Sequence, residues 1–328
     1  MDERLAAISV LPESFWSVID RSALVGQTLF LTGATGFVGG WVLAAIARFN
    51  ETCDVPIQVR ALTRSPQSFL APWLTWVPGD VCGFTDDVRA DLMLHAALPS
   101  TQTPLGGEAN LLETARQGIL QVMRYAVRSG VRRTMVLSSG AVYGSVRTAV
   151  KEDTLFGQIS PTDIYALAKR EVEEIARAGE RENHEVLIAR LFTCIGEGYR
   201  SHSHLAHVAF LNDARAGRAL LLQGDGMAVR SYFAGEDLGV WILALLSRRG
   251  SDTVNVGSDN ALSIRDFAAL VTRCAGRDPT TLQLGSAPAG TRAHFVPDIT
   301  LARQRYGIEP WTPLETVVKR LLCAQVKS

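Results

Sequence analysis

The sequence predicts an α/β fold built on a doubly wound parallel β-sheet. Short apolar runs of strand length alternate with longer segments in which apolar residues recur at helical spacing. The run Thr134–Ser138 is apolar at its centre without alternation, as strands covered on both faces are. A glycine-rich turn, Gly33–Gly39, joins the first run to the first long helix. Such alternation is typical of parallel strands connected by crossover helices.

The predicted elements follow one another in a regular order. The N-terminal residues up to about Leu24 are predicted to form a short amphipathic helix that packs on the outside of the domain, with Phe15 and Trp16 on its apolar side. The later elements are a strand at Thr28–Thr32, a helix at Val38–Phe49, strands at Ile57–Leu62 and Asp91–Ala96, a helix at Leu111–Ser129 and the strand Thr134–Ser138.

Composition narrows the class of protein. The chain of 328 residues is 47% hydrophobic, enough for a large core, and its 33 basic residues balance 33 acidic ones. This balance argues against nucleic acid or an anionic membrane as the main partner. The five cysteines are scattered without CxxC spacing, which predicts neither a disulfide framework nor a zinc site and favours a reducing cytoplasm. No leader or membrane span is predicted, because the longest apolar run, Val240–Leu246, is too short.

The glycine-rich turn is the first chemical signal. Gly33 permits a tight turn, Gly36 lets the backbone approach a pyrophosphate, and Gly39 allows close packing of helix on strand. The spacing is GxxGxxG, and the helix N-terminus that follows attracts an anion. A plain glycine-rich turn is the alternative, but the strand before and the helix after favour a dinucleotide site. The predicted contacts are Gly33, Thr35, Gly36, Phe37, Val38 and Gly39.

The second signal is Tyr165 with Lys169. Ser160 is predicted to cap a helix that begins with Pro161 and carries Asp163 three residues after the cap. Tyr165 and Lys169 then share one helical face. A phenol acting as acid and base at neutral pH needs its pKa lowered by about three units, roughly 4 kcal/mol, which a neighbouring ammonium and a cationic nicotinamide ring supply. The alternative is a solvated surface pair, although the chain has only four lysines.

The third signal is the pair Ser138 and Ser139, where an apolar strand ends. Ligands of open α/β sheets bind outside the carboxyl ends of the strands, where a hydroxyl group can bond a substrate oxygen. Two serines in such a place also suit a simple turn. Their position between the glycine-rich turn and Tyr165 favours a catalytic role.

From Gln27 onward the chain resembles the extended short-chain dehydrogenases/reductases of the nucleotide-sugar epimerase/dehydratase/reductase group. The motifs that carry the resemblance are the glycine turn, Ser138–Gly144, Tyr165–Lys169, His95–Ala97, Arg190–Thr193, Gly224–Gly226, Arg230–Phe233, Val254–Ser258, Asp298–Arg303 and Trp311–Glu315. The resemblance implies a Rossmann-like fold and a catalytic triad of Ser139, Tyr165 and Lys169. It also places Ala96 and Ala97 in the cofactor cleft.

The same resemblance implies substrate contacts and a domain division. Arg230 would bind the substrate diphosphate and Arg292 is a second candidate, because guanidinium matches phosphate oxygens; surface ion pairs are the alternative for both. The predicted parts are an extension at residues 1–26, a NAD(P)-binding domain at 27–192 plus about 236–258, and a smaller interwoven substrate domain at about 193–235 plus 259–328. A homodimer through the helices near 116–128 and 161–178 is also implied.

Cofactor choice depends on the end of the second strand. Thr63 and Arg64 stand where an NAD-selective site usually has an acid, so NADP is favoured, with NAD the alternative if Arg64 only stacks on the adenine. Asp80 and Val81 are expected to meet the adenine.

Departures from the family pattern narrow the chemistry. The 4,6-dehydratases of the family carry an Asp-Glu pair after the catalytic hydroxyl residue, whereas this chain has Gly140 and Ala141. This difference disfavours dehydratase activity. Ala115 and Thr193 each replace an asparagine common in the family, which leaves the substrate-side hydrogen bonds open.

The histidines His202, His204 and His207 cluster in sequence, but a substrate loop or surface is favoured over a metal site, and no metal is predicted.

The leading hypothesis is reduction of a 4-keto nucleoside-diphosphate sugar by NADPH. The alternative is a nucleotide-sugar 4-epimerase with tightly bound NAD. A small-molecule carbonyl reductase or a non-catalytic NADP sensor is less favoured, the sensor because Ser139, Tyr165 and Lys169 are all present.

Overall fold

The computed structural model describes residues 2–65, 67–85, 88–98, 107–160, 162–199, 205–285 and 293–324. The strands are β1 (Thr28–Thr32), β2 (Gln58–Thr63), β3 (Leu74–Pro78), β4 (Leu92–His95), β5 (Arg133–Ser139), β6 (Glu185–Leu191), β7 (Cys194–Ile195), β8 (Leu221–Leu222), β9 (Val229–Arg230), β10 (Phe233–Ala234), β11 (Asp252–Val256), β12 (Leu262–Ser263), β13 (Gln283–Leu284) and β14 (His294–Phe295).

The α-helices are α1 (Asp2–Ser9), α2 (Glu13–Trp16), α3 (Arg21–Leu24), α4 (Phe37–Asn50), α5 (Gly107–Ser129), α6 (Ile164–Ala178), α7 (Ala206–Arg215), α8 (Gly235–Ser247), α9 (Ile264–Cys274) and α10 (Leu314–Cys323). Two 3₁₀ turns, Gly140–Tyr143 and Pro279–Thr281, and a π-helical turn, Ala302–Tyr306, complete the described elements.

Seven parallel strands form the central sheet in the order β3-β2-β1-β4-β5-β6-β11. The predicted doubly wound parallel sheet is therefore confirmed. The strand order reverses between β1 and β4, which opens a crevice at their carboxyl ends. In register, Thr32 at the end of β1 lies opposite Leu62 of β2 and His95 of β4.

Helices cover both faces of this sheet because its strands are apolar on both sides. In β1, Leu29 and Leu31 belong to the apolar cluster formed with α1, α4 and α8. Phe30, between them, belongs to the cluster formed with α5 and α6 on the other face. Since successive side chains of a strand point to opposite faces, β1 contributes to both layers.

A smaller C-terminal α/β part lies beside the main sheet. Three short sheets, β7 with β10, β8 with β13, and β9 between β12 and β14, lie next to α7, α9 and α10. Phe267 and Val271 of α9 are fully buried at the centre of its own apolar cluster. The residue boundaries expected for the two domains stay predictions.

Two local predictions are corrected. The N-terminal segment forms three short helices, not one, because Pro12 and the turn before Asp20 interrupt the helical pattern. Helix α6 begins at Ile164 with Asp163 as its N-cap, whose carboxylate accepts a hydrogen bond from the Ala166 amide at 3.1 Å. Ser160 instead turns the chain before the helix, since the Thr162 amide donates to its hydroxyl.

Within the described ranges, no helix is both long and apolar enough to cross a membrane.

Candidate active site

The glycine turn leaves a cradle at the N-terminus of α4. Gly33 has a φ of +75°, and a Cβ there would lie 2.6 Å from the carbonyl carbon of Ala96. Thr35 and Gly36 are exposed, and no side chain caps the first amides of α4. Free amides at a helix start, beside glycines that keep the approach open, suit a phosphate group.

The crevice between β1 and β4 is fixed by one buried hydroxyl. Thr32 Oγ1 lies 2.9 Å from His95 Nδ1 and accepts a hydrogen bond from the Ala97 amide at 3.2 Å. Burial and the nearby Lys169 ammonium lower the pKa of His95 to about 3, so its ring is neutral. Thr32 and His95 share one hydrogen bond at Nδ1, and the bond from the Ala97 amide to Thr32 Oγ1 ties the backbone at Ala97 to the end of β1.

The residues expected near the adenosine end follow two neighbouring strands. Thr63 ends β2, and its carbonyl accepts a hydrogen bond from the Gly79 amide after β3 at 2.9 Å. Arg64 is exposed and pairs with no acid among the described residues. Asp80 is exposed and accepts from the Cys82 amide, while Val81 lies half-buried against α5. The strand ends thus place Arg64 and Asp80 on adjacent loops.

Ser139 and Tyr165 meet at the carboxyl end of β5. A hydrogen bond from the Ser139 hydroxyl favours the ionised Tyr165 phenol, but burial has the larger effect and raises the pKa of Tyr165. Desolvation thus outweighs the polar contacts in the protein without a dinucleotide. In this state the phenol carries its proton at neutral pH. The lowering of this pKa expected from Lys169 together with a cationic nicotinamide ring stays a prediction.

Lys169 is buried beneath this pair, with its Nζ 5.8 Å from the centre of the Tyr165 ring. The ammonium donates a hydrogen bond to the Leu137 carbonyl at 2.6 Å. Burial lowers the pKa of Lys169 to about 8, although the Glu173 carboxylate opposes the shift. An ammonium has three N–H donors, so two have no partner among the described residues and are available to a ligand in the crevice.

A buried network of charged and polar side chains connects α6 to β6. Glu173 forms a bidentate ion pair with Arg190 of β6 at 2.8 and 2.9 Å, with both side chains buried. Arg190 also donates to the Tyr143 hydroxyl at 2.9 Å, which donates to Asn255. Arg190 therefore positions the framework and does not face the crevice.

The first residue of α4 also contacts a segment outside the glycine turn. The Phe37 ring stacks on Tyr199 with centroids 4.0 Å apart. The Tyr199 hydroxyl donates to the Cys194 carbonyl, and the Tyr165 phenol is among the groups that raise its pKa. Tyr199 was not predicted from the sequence, because its position in a glycine-containing turn carries no recognisable spacing. Val38 is half-buried beside the glycine turn.

Arg230 and Thr193 are the substrate-side candidates that lie within the described residues. Arg230 is half-buried in β9, donates to the carbonyls of Val229 and Ala293, and lies over the Phe295 ring. Burial lowers the pKa of Arg230, and no acid of the described residues pairs with it. Thr193 is half-buried after β6, with its carbonyl bonded by the Phe233 amide. Arg292 lies outside the described residues.

The histidine cluster gives no metal site among the residues that the structure describes. His202 and His204 lie outside these residues. His207 is buried, and desolvation lowers its pKa to about 4. Its ring packs edge-on to Tyr199 and Tyr232.

These residues fit a nicotinamide dinucleotide. The uncapped start of α4 suits its pyrophosphate, and the crevice at Ala96 and Ala97 leads from there toward Ser139, Tyr165 and Lys169. Lys169 would hold the ribose with its two free N–H groups, and Arg64 would face the adenosine end. The glycine turn, Arg64, Ala96 and Ser139 lie at the carboxyl ends of β1, β2, β4 and β5, on both sides of the point where the strand order reverses.

Comparisons with known proteins agree with this fold. UDP-glucuronic acid decarboxylase 1 of Xenopus tropicalis is 28% identical over 235 residues, which are 70% of this chain and 55% of that protein. The chain thus spans about half the length of this relative. The structure of MoeE5 in complex with UDP-glucose and NAD is 24% identical, with a TM-score of 0.76 and coverage of 90% of this chain and 97% of that one.

A further solved structure is UDP-N-acetylglucosamine 4-epimerase from Methanobrevibacter ruminantium M1 in complex with UDP-N-acetylmuramic acid. It is 16% identical, with a TM-score of 0.78 and coverage of 91% of this chain and 98% of that one. Residues 29–257 match the sequence family described as the NAD dependent epimerase/dehydratase family. Because this match covers well over half of the 328 residues, the chain belongs to the NAD-dependent epimerase/dehydratase family.

Proposed function

We propose that this enzyme transfers hydride at carbon 4 of a nucleoside-diphosphate sugar, acting as a 4-keto sugar reductase that uses NADPH. The observation that carries the proposal is the Tyr165 phenol, hydrogen-bonded with Ser139 and lying above the buried Lys169 ammonium. A proton donor, a second hydroxyl and a cation at one strand edge are what reduction of a carbonyl requires.

In this reaction the dinucleotide supplies the hydride when bound. The Ser139 hydroxyl donates a hydrogen bond to the substrate carbonyl oxygen and polarises it. The Tyr165 hydroxyl gives its proton to that oxygen as the carbon–hydrogen bond forms, so the product is an alcohol and the phenolate is reprotonated from solvent. Because burial raises the pKa of Tyr165, the proton is in place before the substrate arrives.

The substrate class rests on Arg230 and on the relatives. A half-buried guanidinium with no acidic partner among the described residues is suited to a diphosphate, which accepts bidentate hydrogen bonds. The names of the relatives include UDP-glucuronic acid, UDP-glucose and UDP-N-acetylmuramic acid. A small-molecule carbonyl substrate would not need this cation.

Arg64 supports NADP as the cofactor. It is exposed at the end of β2, where a 2′-phosphate would meet a cation and the sequence has no acid to bond the ribose hydroxyls.

A 4-epimerase with retained NAD is the second candidate, because a solved neighbour is a 4-epimerase and another holds NAD. In that reaction the same residues would first act in the oxidising direction and then return the hydride to the other face of the sugar.

Dehydration is disfavoured by the turn after Ser139. Ser139 caps the 3₁₀ turn Gly140–Tyr143 by accepting from the Ala141 amide at 3.2 Å. A Cβ at Gly140 would lie 2.6 Å from the Phe192 ring, so this position has no room for an acidic side chain without rearrangement. An acid and a base for removing water are therefore missing from this turn.

The first experiment is mass analysis of the dinucleotide released from freshly purified, denatured protein. An empty site that prefers NADPH over NADH in a binding titration supports the reductase, whereas stoichiometric NAD supports the epimerase. Turnover is then followed with UDP-linked and dTDP-linked 4-keto sugars, UDP-glucose and UDP-glucuronic acid. Release of carbon dioxide from UDP-glucuronic acid would contradict both candidates.

Tyr165→Phe tests whether the site is catalytic. We expect turnover to fall by about 10²–10⁴-fold, because a positioned proton donor is lost, while NADPH binding is kept. Unchanged turnover would contradict the assigned role.

Arg230→Ala should weaken binding of the sugar nucleotide and not of the dinucleotide. Equal affinity of the wild type and Arg230→Ala for the sugar nucleotide would favour a small carbonyl substrate.

We also infer a homodimer through α5 and α6, which pack side by side and carry the exposed Val127 on their outer surface. Sedimentation equilibrium should give twice the chain mass of 35.6 kDa, and a single-chain mass would contradict the inference. A cytoplasmic location stays a prediction.

A further inference from the structure

The N-terminal helix α1 places one guanidinium against α4, the helix at whose start the cofactor is proposed to bind. The Arg4 side chain lies between Gly40 of α4 and Gly198, and a Cβ at either glycine would occupy the place of its guanidinium atoms. The guanidinium also lies 5.9 Å from the ring centre of Trp41. Two glycines on separate segments therefore make room for this one side chain.

Arg4 holds the turn that follows β7. Its Nε donates a hydrogen bond to the Glu197 carbonyl at 3.1 Å. The Glu197 carboxylate accepts from Arg320 Nε of α10 at 2.7 Å, and Arg320 also pairs with Glu236 at 2.7 Å. Glu197 and Glu236 are both buried. The turn is thus fixed from the N-terminal segment on one side and from the C-terminal helix on the other.

This turn leads directly to the proposed cofactor site. Tyr199 is the next residue after Gly198, and its ring stacks on Phe37 at 4.0 Å. Phe37 is the first residue of α4, the helix whose free amides would face the pyrophosphate. The Tyr199 hydroxyl donates a hydrogen bond to the Cys194 carbonyl at 3.0 Å, so its ring is anchored to β7 as well as stacked on Phe37.

We propose that Arg4 is a positioning residue of the dinucleotide site, acting through the Gly196–Tyr199 turn and Phe37. This inference rests on the proposed function, because it requires that a dinucleotide binds at the start of α4. Arg4 also touches α4 itself at Gly40, so it fixes the turn relative to that helix. The N-terminal segment is then part of the site and more than a cover for the core.

The test compares two arginines of the same segment. Arg21 lies over Phe49 and donates to Thr52 at the other end of α4, so Arg21→Ala removes a similar contact far from the glycine turn. NADPH and NAD binding are titrated for the wild type, Arg4→Ala and Arg21→Ala, together with thermal unfolding. We expect Arg4→Ala to weaken the preferred dinucleotide by about tenfold, the loss of roughly one hydrogen bond. Arg21→Ala should leave the affinity unchanged within about twofold.

A second variant separates positioning from general stability. The three atoms nearest to a Cβ at Gly40 all belong to the Arg4 guanidinium, so Gly40→Ala should displace that group and weaken binding as Arg4→Ala does. In the double variant the methyl group fits the vacated space, and the two effects should not add.

Equal dissociation constants for Arg4→Ala, Arg21→Ala and the wild type would overturn the role of Arg4 while leaving the proposed function in place. Additive effects of Arg4→Ala and Gly40→Ala would also overturn it. A wild-type protein that binds neither dinucleotide would overturn both.

Discussion

Lys169 is an ammonium that the fold buries beside its proposed ligand. Its Nζ is held by the Leu137 carbonyl, and the Glu173 carboxylate one helical turn further along α6 offsets part of the desolvation. Burial still lowers the pKa of Lys169 from 10.5 to about 8. At neutral pH the side chain is therefore charged at a cost to stability, which a ligand that accepts its two remaining N–H groups would offset.

This shift predicts a pH dependence of stability. Because the folded pKa lies below the unfolded one, the unfolded chain binds more protons between pH 8 and 10.5, and the lysine destabilises the fold less as pH rises through that window. Relative to Lys169→Met, the free energy of unfolding of the wild type should increase by up to about 3 kcal/mol from pH 7 to pH 10.5. Urea unfolding of both proteins across this range measures the difference.

The Lys169→Met variant cannot bind a proton at this position, and other titrating groups are common to both proteins. The difference between the two proteins in free energy of unfolding therefore reports the titration of Lys169. A difference that is independent of pH would mean that the ammonium is hydrated in solution and that its pKa is close to the ordinary value.

At the scale of elements, α6 carries both Tyr165 and Lys169, so its start decides where the phenol lies. Asp163 caps the helix, whereas Ser160 lies in the turn before it. Asp163→Ala should lower the free energy of unfolding by about 1 kcal/mol, because one amide of the first turn loses its acceptor. Ser160→Ala is the matched control, expected to cost less than half as much. Equal losses would restore Ser160 as the cap, and urea unfolding distinguishes the outcomes.

The glycine turn makes a sharper prediction, because its glycines serve different purposes. A Cβ at Gly39 would lie 2.6 Å from the backbone of Ala34, whereas one at the exposed Gly36 would lie 3.2 Å from the Gly33 carbonyl. Gly39→Ala should therefore impair folding. Gly36→Ala should fold and yet weaken dinucleotide binding by about tenfold or more, because Gly36 is the N-cap of α4 and a methyl group there adds bulk beside the uncapped amides proposed to meet the phosphate. Circular dichroism and a binding titration measure the two effects, and unimpaired binding by Gly36→Ala would contradict the cradle.

The sequence predicts those features that local pattern determines. The apolar runs give the strands of the main sheet, and the four-residue spacing puts Tyr165 and Lys169 on one face of α6. The sequence alone predicts the wrong cap for this helix, because Ser160 and Asp163 are both good capping residues and only the packing of the chain selects Asp163. The stack of Phe37 on Tyr199 joins residues far apart in sequence, so no local pattern indicates it.

At the scale of the molecule, the N-terminal segment and the last helix meet behind the cofactor side of the sheet. Arg320 of α10 bonds Glu197 and Glu236, and the Phe15 ring stacks on Trp311 at 4.4 Å. These contacts tie both ends of the described chain to α4 and α8. The dinucleotide-binding part and the smaller C-terminal part are thereby held in one arrangement around the crevice.

The apolar side chains of the N-terminal segment belong to the main core. Ile8, Leu11, Trp16, Ile19 and Leu24 are all buried in the cluster formed with α4 and α8. Burial of each contributes about 1.5–3 kcal/mol, so their sum of roughly 10 kcal/mol is comparable with the whole stability of a typical domain.

Deletion of residues 2–24 should therefore leave an insoluble or unfolded chain, as solubility and circular dichroism would report. Arg4→Ala is the control, because it keeps every one of these apolar contacts and should fold. A truncated chain that folds with little loss of thermal stability would mean that the segment covers the core without completing it, and that any effect on dinucleotide binding comes from Arg4 alone.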